Sequence, residues 1–379
     1  MMSRVAGRRG LRRILAIVSI VAALGLGGVT VAGAQSGGRV GVEGTSLRLD
    51  GKAWWPAGFN AYQLATNWSV NKGCGAEVNL DEYFAGLPPH SLTRFNAFEA
   101  LATDKVTGRR DWTAVDAVFR AAERHGQLLV PVLTAQDGAC ENEVFKQRDW
   151  YADGWRSAPH GAAASFAEWT ESAVTRWRDS PALAAWELVG EPETSVCHGG
   201  NCDLASRTCP PDAASVLRSF MDEAGAVVRR AAPGSLITAG LTGGGQCGTA
   251  GDDYQYVGAS PNVDILQYHD YHADGIALPG DRWNGLAVRI RQANEIGKPL
   301  LVAEIGQAAG PGAATVERRA FDIERKISGQ RAAGTAGALL WSFVPDPRHQ
   351  DATYDIGKGD PLFAVMAHYN AVGGPPGRD

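Results

Sequence analysis

The sequence of 379 residues is short of several things, and each shortage removes a class of protein. Charged residues are only 20%, and the 47 glycines and 19 prolines follow no period, which excludes a coiled coil, a collagen and a disordered tail. No Cys-x-x-Cys pair occurs among the six cysteines, so the usual zinc spacing is missing. No Gly-rich phosphate fingerprint follows any early apolar run, which argues against a dinucleotide-binding open sheet. From Trp54 onward no linker or repeat interrupts the chain.

What is present begins with a distinct N-terminal segment. Arg4, Arg8, Arg9, Arg12 and Arg13 form a cationic start, residues 14–31 form an apolar run, and Ala32-Gly33-Ala34 offers small residues for cleavage before Gln35. A membrane anchor is the alternative, since such a run nearly spans a bilayer. Its richness in Gly and Ala and its Ala-x-Ala end favour a signal peptide over 1–34 and a secreted, extracellular protein. Two arginine pairs hint at the twin-arginine route without fitting its pattern fully, so the route stays open. Removing this segment takes away five arginines and no acid, which moves the formal charge from −5 to −10. Such an acidic chain is a poor partner for nucleic acid or anionic membranes.

Cys74, Cys140, Cys197, Cys202, Cys209 and Cys247 are even in number, and an exported protein meets an oxidising environment, so three disulfides are expected. The sequence selects none of the fifteen possible pairings. A zinc site from Cys197, His198, Cys202 and Cys209 is the competing reading.

Short apolar runs at 55–60, 92–98, 128–134, 183–189, 236–241, 264–268, 300–304 and 338–343 alternate with segments of helical period. Asp111 stands before the helical run through Val115, Val118 and Phe119, and Pro211 and Asp212 precede the stripe of Val216, Leu217 and Phe220. Further helices are predicted at 286–296, 315–330 and 361–372. Eight βα units fill residues 35–379 and predict an α/β fold, a single-domain (β/α)8 TIM barrel. In such a barrel the chemistry sits where strands end, and those ends carry Asn60, Arg94, Asn96, Gln136, Glu187, Glu191, His269, Tyr271, Glu304 and Trp341.

The fourth run reads Trp186-Glu187-Leu188-Val189-Gly190-Glu191-Pro192-Glu193, and the seventh ends in Glu304. An unpaired charge is costly where an apolar strand emerges, so these acids need partners or a function. One possibility is burial in ion pairs with Arg94 or His269. The other is that two carboxylates face each other across the mouth, as glycosidic bond cleavage requires.

Together, Glu191-Pro192 after a strand starting at Trp186, Glu304, His269-x-Tyr271, Trp341 and Arg94 resemble glycoside hydrolase family 5. The resemblance covers about residues 51–343. It implies a retaining β-glycosidase with Glu191 as acid/base, its pKa raised, and Glu304 as an ionised nucleophile. It further implies that Arg94 holds Glu304 charged, Tyr271 hydrogen-bonds it, His269 stands near the acid/base and Trp341 stacks on sugar. Trp54, Trp68, Trp150, Trp155 and Trp283 are candidates for further subsites. No cofactor or metal is called for, and a monomer is expected.

One position departs from the family pattern: Gly190 stands where an Asn that binds the sugar 2-hydroxyl is expected. Asn96 or a water could replace the amide, the sugar could be substituted there, or activity could be weak. Residues 55–62 and the Cys-bearing loops look most like the mannan-degrading members. A β-glucan or cellulose hydrolase, a non-catalytic carbohydrate-binding barrel and a metal-dependent hydrolase are the alternatives. The loops at 61–80, 194–211 and 344–360 are expected to decide among polysaccharides, with cysteines stiffening the first two.

Overall fold

Eight parallel strands stand where the apolar runs predict them. The computed structural model describes residues 39–158 and 164–371, so the expected signal peptide at 1–34 lies outside the described residues. The chain enters through a small antiparallel sheet of β1 (Val40–Glu43), β2 (Ser46–Leu49) and β3 (Lys52–Trp54). The main sheet then takes β4 (Ala57–Asn60), β5 (Leu92–Asn96), β6 (Leu128–Val132) and β7 (Trp186–Glu187). After an outlying hairpin of β8 (Val196–Cys197) and β9 (Arg207–Thr208) it takes β10 (Ile237–Thr238), β11 (Leu266–Asp270), β12 (Leu300–Ile305) and β13 (Ala338–Leu340).

The order β10-β7-β6-β5-β4-β13-β12-β11 is closed by a parallel bridge between Thr238 and Ile265 and by Asp264 N donating to Ile237 O at 2.8 Å. The expected (β/α)8 barrel is therefore borne out, and the open doubly wound sheet is excluded. The fourth and fifth strands are shorter than predicted. Beyond Glu187 and Thr238 the chain turns through left-handed residues, Glu191 (φ 59°) and Gly240 (φ 71°), and leaves the ladder.

Nine α-helices occur among the described residues: α1 (Leu80–Ala85), α2 (Thr113–Arg124), α3 (Arg148–Ala152), α4 (Phe166–Trp177), α5 (Ala213–Ala231), α6 (Asp253–Gly258), α7 (Leu286–Glu295), α8 (Val316–Ala332) and α9 (Leu362–Ala371). Local signals explain several starts. Ser165 and Glu168 form a capping box on α4, and Thr315 accepts from Arg318 N on α8. Asp111 sits one residue further out than a cap and accepts from Thr113 N at 2.9 Å.

Two apolar clusters follow from the period of two along each strand. Leu92, Leu128, Val130, Leu301, Ala303 and Leu339 pack inside the barrel on Val40, Leu47, Leu49 and Trp54, so the N-terminal sheet plugs its lower end. The opposite strand faces, with Phe95, Leu129, Trp186, Leu300 and Val302, pack on the helices. Strict alternation would send Glu304 outward with Leu300 and Val302. Instead, Tyr268 pairs with Val302 and His269 with Glu304, which leaves Ala303 as an extra residue. This bulge turns Glu304 back toward the barrel interior.

Three disulfides form, as expected, and their pairing is Cys74–Cys140, Cys197–Cys202 and Cys209–Cys247. The first ties the loop after β4 to the loop after β6, and the third ties the loop after β7 to the loop after β10. Three of the proposed zinc ligands are thereby consumed. Chain-entropy reasoning gives about 4 kcal/mol for the Cys209–Cys247 closure, with its separation of 38 residues, against about 2 kcal/mol for Cys197–Cys202, with 5. Urea unfolding should therefore find the double variant Cys209→Ser/Cys247→Ser clearly less stable than Cys197→Ser/Cys202→Ser.

Candidate active site

At the C-terminal ends of the strands opens a cavity of about 740 Å³ lined by Arg94, Asn96, Gly190, Glu191, Tyr271, Glu304 and Trp341, among others. Its floor is organised by one guanidinium. Arg94, on β5, faces inward like Leu92 and Asn96, and it is buried. Its Nε and Nη2 donate to Oε2 and Oε1 of Glu187 at 2.9 and 2.7 Å, and Nη1 donates to Glu304 Oε1 at 2.7 Å. Asn60 accepts from the same Nη1 at 2.9 Å and is itself fixed by donating to Ala303 O at 2.8 Å. Burial works against the charge of Arg94, but the carboxylates of Glu187 and Glu304 outweigh it and hold the group protonated.

Glu304 accepts a further hydrogen bond from the Tyr271 hydroxyl. Burial raises its pKa above the ordinary carboxylate value, while His269 and Arg94 pull the other way. Burial and the neighbouring Glu304 charge push the Tyr271 hydroxyl up, so it stays a donor. Glu191 lies on the loop past β7, in a left-handed conformation uncommon for a non-glycine residue, with its N–H on Gly240 O at 3.0 Å. Its Oε1 is 2.7 Å from His269 Nδ1, which also lies 3.5 Å from Glu304 Oε2. The Glu191 and Glu304 carboxylates come within 4.8 Å of each other.

One expectation is reversed. Glu191 has its pKa lowered, not raised: burial favours the neutral acid, but the hydrogen bond and charge of His269, with Arg94 behind, win. The Glu191 side chain is 46% exposed, so water still supports its charge. Burial disfavours the imidazolium, yet the charges of Glu304 and Glu191 raise the pKa of His269. Both shifts favour the ion pair, with the shared proton on the His269 side of the hydrogen bond.

Glu191, His269 and Glu304 each present one atom within a span that a metal ion could use. The donor set fits an ion poorly, because Arg94 already brings positive charge to Glu304 and the Glu191 oxygen is bonded to the imidazole.

Every site residue named from the sequence reaches this region. Trp341 lines the cavity and stacks on Tyr62 with ring centroids 5.8 Å apart. The peptide between Trp341 and Ser342 is cis. Asn96 lines the cavity with its amide 3.7 Å from Cys74 Sγ. A Cβ built on Gly190 would stand 3.2 Å from Arg94 Nη2 and 3.5 Å from Val132 Cγ1, so the guanidinium leans into the space beside the glycine.

None of the five further tryptophans lines this cavity, and three of them are corrected to packing residues. Trp54 belongs to the lower plug, Trp150 and Trp155 pack with Phe166 and Phe220, and Trp68 and Trp283 are exposed elsewhere. Tyr62 and Gln267 carry contacts that sequence reasoning missed. Gln267 was findable, since it lies two residues before His269 and therefore on the same strand face.

No family model matches the chain. Among curated proteins, it is 28% identical over 267 residues to the probable mannan endo-1,4-β-mannosidase C of Aspergillus terreus, covering 62% of this chain and 64% of that protein. It is 26% identical over 305 residues to mannan endo-1,4-β-mannosidase F of Aspergillus clavatus, covering 72% and 65%. With mannan endo-1,4-β-mannosidase 1 of Oryza sativa it shares 24% over 407 residues, covering 87% and 84%. The chain thus spans somewhat less than two thirds of the first two relatives. Among solved structures, the endo-1,4-β-mannanase of Rhizomucor miehei superposes with a TM-score of 0.63 at 15% identity, over 88% of this chain and 98% of that one. A glycoside hydrolase family 5 mannosidase from the same organism gives 0.59 at 14%, over 88% and 96%. At these identities the likeness shows the barrel fold.

Removing Arg94 would leave Glu187 buried without a cation and Glu304 with only His269 beside it, a loss of about 3–5 kcal/mol. Urea unfolding of Arg94→Met should show that loss, and Arg94→Lys should recover only part of it, because an ammonium cannot fork across both carboxylates. The resemblance to glycoside hydrolase family 5 read from the strand ends is borne out: the curated relatives are mannan endo-1,4-β-mannosidases, and a family 5 mannosidase shares the barrel fold.

Proposed function

We propose that the protein is a retaining β-glycoside hydrolase that cleaves β-1,4-linked mannan, and that residues 35–379 are exported after removal of a signal peptide at 1–34. The observation that carries the reading is the pair of carboxylates within 4.8 Å, one buried on Arg94 and one half-exposed on His269. Retaining enzymes hold their carboxyl groups about 5 Å apart, whereas inverting enzymes leave room for a water. Relatives that act on mannan favour this polysaccharide over β-glucan.

In the proposed reaction Glu304 attacks the anomeric carbon as Glu191 gives its proton to the leaving oxygen, whose bond electrons stay with that oxygen. Water then enters the vacated side, Glu191 takes its proton, and the glycosyl–Glu304 ester breaks. Arg94 and Tyr271 position the attacking carboxylate and take up its charge when it leaves. A sugar covering the exposed half of Glu191 removes the water that supports its charge. That cost drives the shared proton from His269 Nδ1 onto Glu191, where the first step needs it. Trp341, backed by Tyr62, offers a ring face to the sugar.

Mannan hydrolysis by Glu191→Ala and Glu304→Ala should fall by at least about 100-fold. A 2-fluoro mannoside should label Glu304 in the wild type, and labelling at Glu187, or none, overturns the assignment. A better rate on cellulose derivatives or laminarin would redirect the substrate and leave the chemistry standing. Because burial raises the pKa of Glu304, the acidic limb of the kcat/KM profile should lie above the ordinary glutamate value of about 4.3. Activity is lost as pH falls through that raised value. It is lost on the basic side as the proton shared by His269 and Glu191 leaves.

A further inference from the structure

Gln267 lies on the barrel floor, fully buried, two residues before His269 on β11. Its amide bridges two parts of the site. Nε2 donates to Glu187 Oε2 at 2.7 Å and to Thr238 Oγ1 at 2.8 Å, and Oε1 lies 3.3 Å from His269 Nε2. The orientation of the amide is forced. Glu187 is gripped by both prongs of Arg94, so its oxygens act as acceptors and the group facing Oε2 must be the NH2. The amide oxygen then faces the imidazole, and Nε2 of His269 must be the N–H that meets it.

We propose that Gln267, oriented by Glu187, is a positioning residue that fixes the Nε2–H tautomer of His269, leaving one mobile proton between His269 Nδ1 and Glu191. The inference rests on the reading of Glu191 as proton donor. With Nε2 always protonated, the neutral ring presents a bare Nδ1 that accepts from the Glu191 carboxylic acid. The imidazolium presents Nδ1–H to the Glu191 carboxylate. One proton moves along one 2.7 Å hydrogen bond, and no ring flip is needed. In the opposite tautomer a neutral His269 would donate from Nδ1, favour ionised Glu191 and disable the acid.

The groups facing the imidazole are consistent with this role. Glu191 and Glu304 face Nδ1, Arg94 lies beyond Glu304, the Tyr271 hydroxyl bonds the far side of Glu304, and Glu187 stands behind Gln267. Asp270, the next residue along the strand, is bonded instead to Lys326 and Gln330 of α8.

The test compares wild type, Gln267→Met and Thr238→Val on mannopentaose, whose leaving group needs a proton, and on 2,4-dinitrophenyl β-mannobioside, whose leaving group does not. Gln267→Met should lose about 100-fold in kcat/KM on mannopentaose, with its basic limb moved to lower pH, and at most about threefold on the dinitrophenyl glycoside. Thr238→Val, which keeps the Glu187 contact, should match wild type in the ratio of the two substrates. An equal loss on both substrates for Gln267→Met, or the same shift in Thr238→Val, overturns the proposal. Should Gln267→Met fail to fold, 15N spectra of wild-type His269, assigned by their loss in His269→Asn, still decide. A protonated Nε2 in the neutral ring supports the proposal and a protonated Nδ1 overturns it. If the 2-fluoro mannoside leaves wild-type Glu304 unlabelled, the reading beneath fails. If Glu304 is labelled and Nδ1 carries the proton, only the inference fails.

Discussion

A single guanidinium, shared by two buried carboxylates, is the constraint on which the mouth of this barrel depends. Glu187 and Glu304 could not both be buried and charged without Arg94 between them, since either alone would carry a desolvation penalty of several kcal/mol. The geometry uses the whole fork: two prongs hold Glu187, and the third nitrogen reaches Glu304 with Asn60 as its second acceptor. Pinning Glu187 orients Gln267, Gln267 meets His269, and His269 meets Glu191. The two acids assigned opposite roles are thus joined through one continuous polar chain.

Backbone irregularities aim these groups. The extra residue Ala303 turns Glu304 inward, and the left-handed turn at Glu191 brings its side chain to His269. Gly240 accepts the Glu191 N–H at positive φ, and a Cβ there would stand 1.9 Å from Val189 O, so the turn requires glycine. Gly190 acquires a physical context as well. With Arg94 Nη2 3.2 Å from where its Cβ would be, a side chain at this position would crowd the guanidinium on which both buried acids depend.

The barrel was legible in the sequence because its signals are local: apolar runs alternating with helical segments, helix-start signals such as Asp111 and Asp212, and polar residues where runs stop. The identities at the site were legible too, since Arg94, Glu191, His269 and Glu304 each interrupt an apolar context. Three-dimensional choices were not. Strict alternation sends Glu304 outward, and only the register against β11 exposes the bulge. The sign of the Glu191 shift depended on the imidazole at 2.7 Å with Arg94 behind it outweighing burial, a balance that spacing does not reveal. Tryptophans near loops looked like sugar platforms, yet Trp150 and Trp155 fill space among Phe166 and Phe220, and Tyr62 backs Trp341 instead. The disulfide pairing likewise followed from loop proximity across the mouth, which sequence separation does not encode.

The central claim is that two carboxylates within 4.8 Å, one ionised against Arg94 and one sharing a proton with His269, carry out a double displacement. Proton NMR of the reducing-end anomer, recorded in the first minutes of mannopentaose hydrolysis before mutarotation, tests it most directly. The account predicts that the β anomer appears first and the α anomer grows in later. Initial appearance of the α anomer would mean inversion by a water between the carboxylates and would contradict it.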